Sequence, residues 1–159
     1  MAASLHTVEA TGLGRFMREA LWAYPAAETF HIVGLALLFG SIAIVDLRLL
    51  GAGRRVPVGP LIAHAVPWSL AGFALAATTG LMMFTAHASD FLNEPVFILK
   101  MTLIVVAGVN AAALRLGAFR HAATWPPNAA PPARVRTAAA LSLLLWVGVI
   151  ACGRLLAYF

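Results

Sequence analysis

Four long apolar stretches, separated by polar connectors, dominate the pattern of hydrophobic and polar positions along the chain. They cover about residues 27–49, 61–86, 95–119 and 137–158. As helices that rise about 1.5 Å per residue, stretches of this length cross a bilayer core of about 30 Å. The pattern therefore predicts an all-α protein, a bundle of four transmembrane helices, with residues 1–159 in a single membrane domain.

A shorter segment before the first span, residues 13–24, shows a different pattern. Its apolar residues recur at the i, i+3, i+4, i+7 positions of one helix face, and charged residues occupy the opposite face. We expect an N-terminal amphipathic helix that lies in the membrane interface and ends at Pro25, with a cap over a partner or cofactor as the alternative. Residues 1–12 are small and polar, and we expect His6 to be disordered.

Small residues repeat along the second span. Gly72, Ala76 and Gly80 follow one another at intervals of four and so share one helix face. A strip of this kind lets another backbone come close, and we interpret it as helix packing. The connector of residues 121–136 is rich in proline, which cannot donate a backbone hydrogen bond, so we expect it to cross the surface without forming a helix.

The composition supports a membrane location. Of the 159 residues, 62% are hydrophobic and 11% are charged, with a mean hydropathy of +0.89, which is more apolar surface than one soluble core of this length buries. The net charge of +5 comes mainly from arginines in short loops beside apolar segments, and this placement excludes nucleic acid as a partner. The single cysteine, Cys152, excludes an intrachain disulfide, and the start of the chain lacks the pattern of a cleaved signal peptide.

The arginines also predict an orientation. The first and third connectors and the helix ends beside them hold seven of them: Arg48, Arg54, Arg55, Arg115, Arg120, Arg134 and Arg136. Short loops rich in Lys and Arg stay in the cytoplasm. The sequence therefore predicts a multi-pass protein of the bacterial inner membrane with both termini in the periplasm.

Three ionisable residues of different spans share one depth on the side of the termini. From the middle of each apolar stretch, His31 lies roughly 9 Å outward, and Lys100 and Arg154 lie roughly 10 Å outward. A histidine beside two cations suits haem b, with His31 on the iron and Lys100 and Arg154 near the propionates. His87, in the turn on the same side, is a candidate for the second axial ligand.

The opposite side of the membrane holds another polar group. His64 lies about 25 Å from His31 in depth, so the two cannot ligate one metal. His64 and His121 could instead hold a second haem, and Asp46 could pair with Arg115 or His64, since a carboxylate in a membrane needs a partner. The alternatives are structural, because a membrane histidine often bonds a neighbouring helix and a lysine near a helix end often extends to the headgroups.

Much of the sequence resembles an uncharacterised family of small four-helix bacterial membrane proteins. The resemblance rests on Phe-His-Ile-Val-Gly at residues 30–34, Asp-Leu-Arg-Leu-Leu-Gly at 46–51, Pro-Trp-Ser-Leu-Ala-Gly at 67–72, Asn-Glu-Pro-Val-Phe-Ile-Leu-Lys at 93–100 and Ala-Gly-Val-Asn at 107–110. It implies the fold and supplies no activity.

A looser resemblance concerns the Phe-His-Ile start of the first span and the lysine early in the third. These features resemble the haem-containing membrane protoporphyrinogen oxidase of bacteria, small b-type cytochromes and copper-resistance membrane proteins. In that oxidase the histidine and the lysine are essential, so the resemblance implies a cofactor role for His31 and a catalytic role for Lys100.

The leading hypothesis is a membrane b-type haem protein that acts in electron transfer or a haem-linked oxidation, with a redox partner or a quinone. One alternative is a copper-binding or copper-transport module that uses Met82, Met83, His87 and Met101, because thioethers and imidazole suit Cu(I). Another is a non-catalytic subunit or homodimer that uses the small-residue strip as its interface. Hydrolase and nucleotide-binding motifs are missing from the sequence.

Overall fold

The computed structural model describes residues 2–117, 119, 125 and 131–158, with side chains from residue 6 onward. The described residues form seven helices and no strand: α1 (Ala2–Glu9), α2 (Gly12–Glu19), α3 (Ala23–Leu50), α4 (Val58–Ala86), α5 (Ala88–Asn93), α6 (Pro95–Leu116) and α7 (Ala133–Leu155). The four long helices α3, α4, α6 and α7 are apolar enough to cross a membrane. The prediction of an all-α protein with four spans is confirmed, and the chain is a multi-pass membrane protein.

Helices α3 and α4 pack closely because small residues face each other. A Cβ atom added to Gly72 would lie 2.5 Å from the backbone nitrogen of Leu38, and one added to Gly34 would lie 2.7 Å from that of Ala76. Since lipid gives helices no hydrophobic reason to associate, such contact between backbones supplies van der Waals attraction instead. The strip was correctly interpreted as packing, and Gly72 and Ala76 are buried within the chain.

The four spans pack side by side in the spatial order α4, α3, α7, α6. Helix α3 also packs on α7, and α7 packs on α6, whereas α4 and α6 scarcely touch each other. Leu38, Ala107, Trp146 and Val149 join α3, α6 and α7 in one buried cluster. The four spans therefore enclose a groove between α4 and α6.

Several helix ends differ from the predictions for physical reasons. Helix α3 begins at Ala23 rather than near residue 27, and Pro25 lies in its first turn, where a backbone N–H has no partner within the helix to lose. Helix α6 ends at Leu116, just before Gly117. Helix α7 begins at Ala133, directly after two prolines, so residues 133–136 of the predicted connector are helical.

The N-terminal region is docked on the bundle. Met17 of α2 is 1% exposed and packs in a cluster with α3 and α4, while the Arg18 guanidinium donates to the Ala86 carbonyl (2.9 Å) and the Glu9 carbonyl (2.8 Å). The Glu9 carboxylate in turn accepts hydrogen bonds from the backbone and hydroxyl of Ser89. The expectation that His6 is disordered was wrong, because α1 is a helix held by these contacts. The amphipathic helix forms, but it ends at Glu19 and covers the end of α4.

Arg48 is a structural residue on the opposite side of the membrane. Its side chain is buried, and it donates to the carbonyls of Val56 (2.7 Å) and Arg54 (3.0 Å). Gly51 has a positive φ of 112°, which allows the chain to turn out of α3. Arg48 therefore closes the first connector against the end of α3.

Candidate ligand-binding cavities

The groove between α4 and α6 contains two cavities at different depths. Leu38, Phe73, Ile104 and Trp146 border both of them and so form a shared wall. We name each cavity after one ionisable residue that borders it. The histidine cavity contains His31 and the aspartate cavity contains Asp46.

The histidine cavity has a volume of about 490 Å³ and walls that are almost entirely apolar. At its end, near the termini, Phe84, Phe91 and Phe97 stack on one another, with ring centroids 5.2–6.4 Å apart. Cavities that hold small molecules and cofactors have this size and this largely apolar lining, with a few polar groups. The polar side chains in this cavity are therefore its candidate functional groups.

His31 is held in one orientation by α4. Its Nδ1 lies 2.8 Å from the Ala76 carbonyl oxygen and 3.2 Å from the Thr79 hydroxyl. A carbonyl oxygen only accepts hydrogen bonds, so Nδ1 carries the proton and Nε2 of the neutral ring has a free lone pair. Nε2 has no hydrogen bond among the described residues. A backbone carbonyl that fixes one ring nitrogen is the usual support for a histidine whose other nitrogen binds a metal.

Gly80 makes space for this ring. A Cβ added to Gly80 would lie 3.1 Å from Cε1 and 3.4 Å from Nδ1 of His31. The third member of the small-residue strip thus contacts the imidazole rather than another backbone. The strip was predicted for packing only, and this contact was missed.

Lys100 lines the same cavity from the opposite pair of helices. Its Nζ lies next to α7, 3.4 Å from the position of a Cβ added to Gly153. Within the described part of the chain, Lys100 makes no salt bridge and no hydrogen bond. The shared depth inferred from the sequence thus brings His31 and Lys100 to one cavity.

The structure does not bring Arg154 and His87 into that cavity. Arg154 is exposed, and its guanidinium donates to the Tyr158 hydroxyl (2.7 Å) and lies over the Tyr158 ring. His87 lies at the end of α4, 3.5 Å from the Asp90 carboxylate, with its ring edge-on to Tyr24. Tyr24 borders the cavity, whereas His87 does not. The second axial ligand suggested by the sequence is therefore not positioned for that role.

The remaining candidate ligands are also placed apart. His64 is exposed on α4 and borders neither cavity, and His121 lies outside the described residues, so the predicted second haem has no support. Met83 and Met101 line the histidine cavity, whereas Met82 packs in the cluster around Met17. In the part of the chain that the structure describes, no three His, Cys, Asp or Glu residues form a metal-binding group.

The aspartate cavity has a volume of about 440 Å³. Asp46 is 3% exposed and borders the cavity together with Ser142, and its Oδ2 has no partner among the described residues. The predicted ion pair with Arg115 or His64 does not form, although Arg115 borders the same cavity. The sequence shows Asp46 as an isolated carboxylate, but it does not show that the carboxylate borders a cavity.

Comparison with known proteins identifies the family of the chain. Residues 13–159 match the model of a family described as a family of unknown function, DUF6644. The chain belongs to this family. No curated protein and no solved structure matches the chain. The resemblance to an uncharacterised family is thereby confirmed, and the match includes both cavities.

The looser resemblance to the haem-containing protoporphyrinogen oxidase, to b-type cytochromes and to copper-resistance proteins finds no support in these comparisons. A functional proposal for this chain therefore rests on the chemistry of the two cavities.

Proposed function

We propose that this membrane protein binds haem b in the histidine cavity and acts in electron transfer or a haem-linked oxidation. The observation that carries the proposal is the state of His31, whose Nδ1 is bonded to the Ala76 carbonyl and whose Nε2 has no partner among the described residues. A neutral imidazole with a free Nε2 is the usual protein ligand of haem iron.

Lys100 supports the choice of haem over a neutral ligand. A lysine in a membrane span without a carboxylate partner is costly. A propionate would give its ammonium group the missing negative charge, while the apolar walls and the three stacked phenylalanines would contact the macrocycle. The residues present thus fit the group, with His31 on the iron and Lys100 on a propionate. When bound, haem would supply one-electron redox chemistry at this site.

The test compares two histidines of the same chain. The purified wild-type protein is expected to show a Soret band, a reversible spectral change with dithionite and extractable porphyrin. His31→Ala should lose the band because the free Nε2 is removed. His64→Ala should keep it because His64 is exposed and borders neither cavity. A colourless wild-type protein, or equal spectra for the two variants, would refute the proposal.

Lys100 provides a second, graded test. Lys100→Gln should weaken haem binding about tenfold, the size expected for losing one charge-assisted hydrogen bond. Arg154→Gln removes a cation that is bonded to Tyr158 instead, so it should leave the affinity unchanged. Equal affinities for the two variants would remove Lys100 from the site.

A copper site is the second candidate, because Met83 and Met101 line the cavity together with His31. Thioether and imidazole ligands suit Cu(I). Metal analysis of the purified protein separates the two proposals, since haem gives iron with porphyrin and the alternative gives copper without it. Met83→Leu should abolish copper binding and leave a haem spectrum largely intact.

The proposal also includes a location, the bacterial inner membrane with both termini in the periplasm, and a redox partner within or beside the membrane, such as a quinone. Arginine-rich connectors on one side support this orientation. In a Cys152→Ser background, Ala10→Cys should react with an impermeant thiol reagent in spheroplasts, and Ala52→Cys should react only after lysis. The reverse pattern would invert the orientation.

A further inference from the structure

The aspartate cavity contains an unsatisfied carboxylate oxygen inside the membrane. Oδ2 of Asp46 is buried without a hydrogen-bond partner among the described residues, and the whole side chain is 3% exposed. An unpartnered buried carboxylate is expensive in a membrane unless a ligand, water or another residue satisfies it.

The walls of the cavity indicate what kind of molecule would satisfy it. Phe73, Phe119 and Trp146 supply aromatic surface to the cavity, Arg115 and three serines add polar groups, and the remaining lining is aliphatic or small. Aromatic side chains favour stacked or edge-on contact with another ring. A ligand that carries a hydroxyl on an aromatic ring meets both requirements.

Access to the cavity is from the lipid side of the bundle. Leu70, Gly108, Ala111 and Ala112 border it and are exposed on α4 and α6. Because these helices span the membrane, such exposed positions face lipid. The ligand therefore comes from the membrane phase and carries an apolar body or tail.

We propose that the aspartate cavity binds a hydroquinone from the membrane, with a ring hydroxyl donating a hydrogen bond to the carboxylate of Asp46 and the ring lying against Phe73 and Trp146. The proposal extends the redox role proposed above by naming a site for the membrane-soluble partner. The binding itself does not require haem, because Asp46 borders the aspartate cavity and not the histidine cavity.

Two glycines allow a matched test of the site. A Cβ at either Gly108 or Gly40 would meet nothing within 4 Å, so both accept a larger side chain without a clash. Gly108 borders the aspartate cavity, whereas Gly40 borders neither cavity. Gly108→Leu thus places a side chain in the cavity, and Gly40→Leu adds the same side chain to the lipid-exposed surface.

The experiment measures binding of tritium-labelled decylubiquinol to the purified protein in nanodiscs under anaerobic, reducing conditions. Gly108→Leu should lower the affinity at least about tenfold, and Gly40→Leu should match the wild type, which also corrects for partitioning of the probe into lipid. Asp46→Leu should lower the affinity about tenfold, as expected when one hydrogen bond to a charged group is lost. Asp46→Asn keeps an oxygen acceptor and should lose less.

Several outcomes would overturn the proposal. These are equal binding by Gly108→Leu and Gly40→Leu, no effect of Asp46→Leu, or displacement of the probe by farnesol as effectively as by unlabelled quinol. The last result would show that the site does not distinguish a ring hydroxyl from the hydroxyl of a lipid alcohol. A protein without haem that still binds the quinol through Asp46 would refute the proposed haem function and leave this inference standing.

Discussion

Replacing Gly72 by alanine should weaken the packing of α3 against α4. The added Cβ would lie 2.5 Å from the Leu38 nitrogen and 2.8 Å from the Gly34 carbonyl oxygen. Both atoms belong to the backbone of α3, so no side chain can rotate away. Since the favourable separation of such atoms is about 3.5 Å, the two helices must move apart by roughly 1 Å.

Two opposing contributions determine the magnitude. Overpacking of a tight contact costs about 1–3 kcal/mol in the free energy of unfolding. Exchanging glycine for alanine within a helix returns about 1 kcal/mol. Gly40→Ala gains the same helix-forming contribution, but its Cβ meets nothing within 4 Å. The difference in stability between the two variants therefore isolates the packing cost, about 1–3 kcal/mol.

The assay is reversible unfolding in mixed detergent micelles, followed by far-ultraviolet circular dichroism, for the wild type and both variants. We expect Gly40→Ala to be at least as stable as the wild type and Gly72→Ala to be the least stable. Equal stabilities of Gly72→Ala and Gly40→Ala would show that the two backbones are not in contact. The pairing of α3 with α4, on which the orientation of His31 depends, would then be incorrect.

Two further predictions concern the histidine ring and the docked N-terminus. Gly80→Ala would place a Cβ 3.1 Å from Cε1 of His31, so it should displace the ring and weaken haem binding severalfold without removing the ligand, as titration with haemin would measure. Hydrogen bonds from Ser89 hold the pKa of Glu9 below its ordinary value of 4.5, so the docking of α1 is fully stabilised above that pH and weakens as the pH falls below it. The protection factors of the α1 amides, which compare their exchange with the intrinsic rate at each pH, should therefore fall in acid, and Glu9→Gln should remove that dependence on pH; an unchanged profile would contradict the role of this carboxylate.

The four spans could be predicted from the sequence because length and apolar composition alone determine whether a helix crosses a bilayer. The sharing of one cavity by His31 and Lys100 followed from depth, which the helical rise of about 1.5 Å per residue sets. Arg154 has the same depth and is absent from the cavity, because depth leaves the rotation of a helix about its axis open. That rotation depends on packing, and spans that are apolar on every side show no preferred face.

The docked N-terminal helices could not be predicted for a related reason. Arg18 bonds the carbonyls of Ala86 and Glu9, and backbone groups are not distinguished by sequence. The groove was missed as well, since it results from which helices do not meet. No pattern along α4 or α6 indicates that they stay apart.

The distribution of satisfied and unsatisfied polar groups connects the fold to the proposed functions. Asn110 of α6 donates to the Ala138 carbonyl of α7, as expected for a polar residue that holds two helices together, and Thr79 donates to the Leu75 carbonyl of its own helix. His31, Lys100 and Asp46 each retain an atom without a hydrogen bond among the described residues, and all three border the groove between α4 and α6. Arg48 also has a buried guanidinium nitrogen without a partner among the described residues, but it borders neither cavity. What His31, Lys100 and Asp46 share is a position at a cavity, and the two ligand proposals rest on that position rather than on an unsatisfied atom alone.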